Sequence, residues 1–114
     1  MDINIDTETS DYCPIVQIKG HFGADDRELF VEQVYPLVSA ARSKLIIMLG
    51  RVPTIDSSGL SCLVDAVTRS RLSQGEVILV APTRFVMGVF DTAELDGWFD
   101  ICEDLEQALA RVAK

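Results

Sequence analysis

The sequence predicts an α/β fold: one domain with a mixed sheet of four to five strands, an antiparallel N-terminal edge and about four helices. Two unbroken apolar runs, Leu45-Ile46-Ile47-Met48-Leu49 and Val77-Ile78-Leu79-Val80-Ala81, suit strands covered on both faces, as parallel strands are. Each run is followed by a segment whose apolar residues recur at helical spacing. Strands that alternate with helices in this way pack as a mostly parallel sheet clothed by helices.

The elements follow in order. A weak strand over Ile3 to Thr7 precedes a stronger one, Ile15-Val16-Gln17-Ile18, which ends at Gly20; the polar Thr9-Ser10-Asp11 turn lets the two pair as a hairpin. A helix begins near Asp25, with Phe30, Val34, Leu37, Val38 and Ala41 on one face. Pro36 predicts a kink or break in it, because proline lacks the backbone N–H and its ring crowds the preceding turn. Strand 45–49 comes next, then a short loop and a helix with apolar residues at 60, 63, 64 and 67 that runs to about Leu72 and stops at Gln74-Gly75. After the strand at 77–81, Pro82 suits the first position of a short helix carrying Val86, Val89 and Phe90. Trp98-Phe99-Asp100-Ile101 is a last short strand. The final helix has Glu103 and Asp104 first, Arg111 and Lys114 last, and Leu105, Ala108, Leu109 and Val112 on its apolar face. That charge order matches a dipole positive at the N-terminus. No repeat, linker or low-complexity tract divides residues 1–114.

Composition narrows the function. A chain of 114 residues, 48% apolar and 25% charged, is ordinary globular material. Its net charge of −8 repels nucleic acid and anionic lipid surfaces, so a protein partner fits better. The start, Met1-Asp2-Ile3-Asn4-Ile5-Asp6, is acidic where a secretory signal would be basic, and no apolar run is long enough to span a membrane. Cys13, Cys62 and Cys102 are odd in number, widely spaced and form no C-x-x-C pair. They predict neither disulfides nor zinc, and Cys62 reads as a buried small hydrophobe. A cytoplasmic domain is expected.

Catalytic templates are absent: no G-x-S-x-G elbow, no phosphate-binding loop, no dinucleotide glycine pattern. His21 is the sole histidine, and nothing in its spacing links it to Ser57 or Ser58. The acid pairs Asp25-Asp26 and Glu103-Asp104 stand where helices begin, so capping explains them better than a metal does. Neither a metal nor a cofactor is expected, and the chain is not expected to be an enzyme. What remains is Asp56-Ser57-Ser58-Gly59, at the junction of strand and helix. Aspartate and serine are ordinary helix caps, and glycine permits close approach. Yet the loop lies at the carboxyl end of a strand, where α/β folds place functional groups, and it offers two hydroxyls where one would cap.

Ile55-Asp56-Ser57-Ser58-Gly59-Leu60 after an apolar strand resembles the signature of the STAS domain family, which includes bacterial anti-sigma factor antagonists and the cytoplasmic tails of sulfate transporters. The downstream order agrees: Gly75, Val77-Ile78-Leu79-Val80-Ala81-Pro82, Val89-Phe90-Asp91-Thr92-Ala93-Glu94-Leu95-Asp96, Phe99, then Glu106-Gln107-Ala108-Leu109. The likeness covers roughly residues 13–112. It implies a single STAS-like domain that binds an anti-sigma factor, itself a serine kinase, while Ser57 is unmodified. Phosphorylation of Ser57 releases that partner, a serine phosphatase resets the switch, and transcription is regulated as a result. Ser57 is expected to cap the helix as well. Asp56, Ser58 and Gly59 support the phosphosite, and Val52, Leu60, Leu63, His21, Phe22 and Asp25 are the expected partner contacts.

In antagonists an acidic residue usually follows the glycine that ends the second strand, commonly as Gly-Glu-Leu-Asp. Here Gly20-His21-Phe22-Gly23 stands in its place, with Asp25 and Asp26 displaced. That departure favours an alternative: a STAS scaffold subunit of a phospholipid-type ABC transport complex, without a phospho-switch. Hydrolysis of a nucleotide or ester by Ser57 is a third reading, and it lacks both a base partner and a phosphate-cradling loop.

Overall fold

The computed structural model describes residues 1–113, and within them the strands lie side by side in chain order. They are β1 (Asp2–Asp6), β2 (Ile15–Lys19), β3 (Lys44–Arg51), β4 (Glu76–Val80) and β5 (Asp100–Cys102). β1 is antiparallel to β2, with Ile3 opposite Ile18 and Ile5 opposite Val16. The remaining pairs are parallel: Val16 opposite Ile47, Ile47 opposite Leu79, Leu79 opposite Ile101. The β2–β3 register slips between Gln17 and Lys19, at the end of β2 where the chain leaves for the site.

Three α-helices fill the crossovers among the described residues and a fourth follows β5: α1 (Arg27–Ser39), led in by a 3₁₀ turn over Ala24–Asp26, then α2 (Ser57–Leu72), α3 (Arg84–Thr92) and α4 (Leu105–Val112). Three successive parallel crossovers step the same way across the sheet. The strong preference for right-handed crossovers therefore sends α1, α2 and α3 to one face. Two-residue alternation along β3 then sorts its side chains. Leu45, Ile47 and Leu49 join Phe30, Val34, Leu63, Val67, Val86 and Phe90 in the larger core, whereas Ile46 joins Ile78, Ala108 and Val112 beneath α4. Each fully buried Leu, Ile or Phe contributes about 1.5–3 kcal/mol by leaving water.

Three local expectations change. α1 continues through Pro36 without a break, because Pro36 stands in the last turn on the exposed side. Its missing N–H frees only the carbonyl of Glu32, itself an exposed residue that water can serve. The helix ends at Ser39, so Ala41 is exposed instead of joining the apolar face. Pro82 precedes α3 instead of opening it; Thr83 is the cap, its side chain accepting from Val86 N–H at 3.2 Å. At the end of α2 the left-handed residue is Gln74 (φ 61°). Gly75 is required there for closeness, since a Cβ would come within 2.7 Å of Ser70 Oγ. Gln74 and Gly75 N–H close the helix on the Arg71 and Ser70 carbonyls, the two bonds of a Schellman ending.

Candidate functional site

Parallel strands deliver their following loops to one rim. The loops after β2, β3 and β4 meet there, and short backbone links bind them together. Phe22 pairs with Ile55 as an isolated parallel bridge; Phe22 N–H donates to the Thr54 carbonyl and Asp56 N–H to the Phe22 carbonyl, each at 3.1 Å. Thr83 Oγ1 donates to the Val52 carbonyl at 3.1 Å, which ties the start of α3 to the loop that precedes α2. A Cβ on Gly59 would collide with the Phe22 carbonyl and stand 2.8 Å from Ile55 Cγ1, so only glycine lets α2 enter this close.

Asp56 is the N-cap of α2: its Oδ1 accepts from Ser58 N–H at 2.9 Å and Gly59 N–H at 3.0 Å. The Gly59 bond above all, then those from Ser58 and Ala24 N–H and the neighbouring His21, hold its carboxyl below the ordinary 3.8 against an opposing effect of partial burial. His21 is exposed, with Nδ1 2.6 Å from Thr54 Oγ1 and Nε2 3.8 Å from Asp56 Oδ2, an ion pair whenever the imidazole is protonated. Ser57 is the first residue of α2 and is exposed. Its hydroxyl makes no hydrogen bond among the described residues, so the capping expected of Ser57 falls to Asp56 instead.

The sequence-derived contact set divides. Asp56, Ser57, His21 and Asp25 are exposed on the rim, and Leu60 and Ser58 are half-buried beside them. Val52, Leu63 and Phe22 are corrected: each is fully buried, and none presents a side chain to a partner. Phe22 turns inward against the Phe30 ring, 5.0 Å between centroids. Leu63 lies on the inner face of α2 with Gly59, Cys62, Ala66, Val67 and Ser70. Cys62 is buried as expected, with Arg27 Nη1 3.6 Å from its sulfur; burial pushes its thiol pKa up and keeps it unreactive.

Exposed apolar surface at the rim lines a cleft of about 630 Å³ between the start of α2 and α3. Ser57 and Leu60 form one wall; Arg84, Phe85, Gly88 and Val89 form the other. Phe85 is 52% exposed, a ring left in water one position off the buried Val86–Phe90 face. Neither Arg84 nor Phe85 was expected from the sequence, although a phenylalanine out of phase with its own helix is a signal of surface function.

Comparison with known proteins bears on the family and the fold. The family model of the STAS domain matches residues 4–108, a span that begins within β1 and ends within α4. A Thermotoga maritima protein described as a candidate anti-sigma factor antagonist superposes with a TM-score of 0.84 at 23% identity, over 99% of this chain and 94% of that one. The anti-sigma factor antagonist SpoIIAA in its unphosphorylated form gives 0.73 at 16% identity, over 98% of each chain. The phosphorylated form of the Bacillus cell-fate determinant SpoIIAA gives 0.73 at 19%, over 97% and 99%. At these identities the likeness establishes the fold.

Proposed function

The chain belongs to the STAS domain family, and from that premise we propose that it is a phosphorylation-controlled binding module of the antagonist type. Its partner is an anti-sigma factor with serine-kinase activity, bound while Ser57 is unmodified and released once Ser57 carries phosphate, so that transcription is regulated. The observation that carries this reading is the division of labour at the start of α2. Asp56 takes the capping bonds, and Ser57 keeps an exposed, uncommitted hydroxyl at the mouth of an apolar cleft.

Phosphorylation moves the terminal phosphoryl group of a nucleoside triphosphate onto Ser57 Oγ. The new O–P bond forms as the bridging P–O bond breaks, the nucleoside diphosphate departs, and the hydroxyl proton passes to a base of the kinase. A serine phosphatase reverses the modification by hydrolysis. The added charge of about −1.5 to −2 then stands beside the Asp56 carboxylate, tolerable in water and unfavourable inside a desolvated contact. The domain itself performs no chemistry in this scheme and engages neither nucleic acid nor membrane; no described helix is long and apolar enough to cross one. A cytoplasmic, bacterial setting follows from the same reading. Intact-mass analysis of protein isolated from its native host, with the site mapped, is expected to find phosphate on Ser57; its absence under several growth conditions removes the switch.

One observation favours a second reading. His21, with its imidazole against Asp56, occupies the loop where antagonists usually carry an acid. A scaffold subunit of a phospholipid-type ABC transport complex needs no phosphate on Ser57, and it is expected to co-purify with an ATPase and a membrane permease.

A further inference from the structure

Arg84 stands where helix stability alone would not put it. It opens α3, so its positive charge faces the positive end of that helix's dipole. α4 has Asp104 and Glu106 first and Arg111 last, and α2 has Asp56 at its start and Arg69 and Arg71 in its last turn; α1 also opens on an arginine, but Arg27 has Asp65 at 3.7 Å to offset it. Arg84 is exposed and has no ion-pair partner among the described residues. A cation set against its own helix, with no ion pair to offset it and with Asp56 the one carboxylate lining the same cleft, is a local cost of the kind found at functional sites.

The anion it lacks is supplied across the cleft. Arg84 and Ser57 border the same cavity from opposite walls, and the Thr83–Val52 hydrogen bond fixes the two helix starts relative to each other. A phosphate on Ser57 cannot draw on the Ser58 and Gly59 N–H groups, because the Asp56 carboxylate already holds them. Among the residues lining the cleft, Arg84 is the cation, and its planar fork suits bidentate contact with phosphate oxygens. We propose that Arg84 receives the phosphate carried on Ser57, bridging the α2–α3 cleft within one chain. Modification then closes the apolar floor formed by Leu60, Phe85 and Val89, in addition to placing charge at its edge.

This inference rests on Ser57 as the phosphosite, and its test is kept separate by installing phosphoserine at position 57 during synthesis of the full chain. The readout is the second ionisation of that phosphate followed by phosphorus NMR. His21 and Asp56 are present in every sample, so the comparison isolates Arg84. With the clamp, the midpoint in the wild-type background lies below that of Arg84→Gln by about half a unit or more, since a neighbouring cation favours the dianion. Arg84→Lys falls between them. The unphosphorylated Arg84→Gln protein melts at or slightly above the wild type, because the exposed side chain packs on nothing and its removal relieves the helix end it opposes. Coincident midpoints for the wild-type and Arg84→Gln phosphoproteins overturn the clamp while leaving the phosphosite standing. Absence of phosphate on host protein overturns the phosphosite and leaves the electrostatic result intact.

Discussion

Asp56 and Ser57 are adjacent, chemically ordinary and opposite in commitment. The carboxylate is tied into the first turn of α2, while the hydroxyl beside it is left to solvent. On the proposed switch, a neutral replacement of Ser57 is expected to preserve docking and a charged one to oppose it. Ser57→Ala is expected to bind the partner as the wild type does, and Ser57→Asp about tenfold more weakly or worse, as like charges juxtaposed at a contact do; equal affinities by calorimetry sink the idea. Asp56 makes its own prediction. Its carboxyl titrates below 3.8 in the folded chain, so the folded state favours the charged form. The stability gained is complete above the unfolded value and is lost as pH falls through the folded one. Asp56→Asn keeps a competent cap and loses only this charge effect. Urea midpoints of the two proteins are expected to differ near neutrality and to converge below about pH 4. Asp6, lowered chiefly by the Thr9 side chain, leaves an acid limb in both.

Helix α3 separates binding from folding within two adjacent residues. Val86 is fully buried and Phe85 is half in water. Val86→Ala is expected to cost about 1.5–3 kcal/mol of stability by the usual value of a buried valine. Phe85→Ser is expected to leave the melting temperature near wild type and to weaken partner docking; a stability loss as large as that of Val86→Ala would show the ring to be structural. The same element explains what the sequence concealed. Strands β1 to β4, the span of α2 and the Asp56-Ser57 junction are legible because buried apolar runs and cap residues obey local rules, whereas the strand expected over Trp98-Phe99-Asp100-Ile101 covers Asp100–Cys102. The contact surface is not, because exposure depends on which neighbours arrive. Phe22 and Val52 adjoin the site in sequence, yet the parallel bridge to Ile55 turns that loop inward. Leu63 shares its face with Cys62, Ala66 and Ser70, small residues whose inward pattern is visible only once the helix phase is known. Pro36 misled for a related reason, since a proline in the last exposed turn costs little.

Across the whole molecule the −8 net charge is spread over a body of 31 × 27 × 25 Å. At about 10 mM salt the screening length is roughly 30 Å, so every charge feels every other; at physiological salt it is about 8 Å. Self-repulsion of an acidic fold relaxes over that range. The melting temperature is therefore expected to rise by a few degrees, roughly the effect of 1 kcal/mol on a domain this size. A flat or falling profile between those salt concentrations would mean that local ion pairs such as Arg27–Asp65 and Arg111–Asp100 outweigh the global term.

The rim draws its chemistry from three separate crossovers, contributing His21, the Asp56–Ser57 pair and Arg84, while the sheet beneath is common property. Recognition is thereby modular. On the proposed switch, exchanging a few tip residues would change which partner docks and leave the sheet beneath intact. The same economy makes the rim a natural substrate for engineering orthogonal circuits.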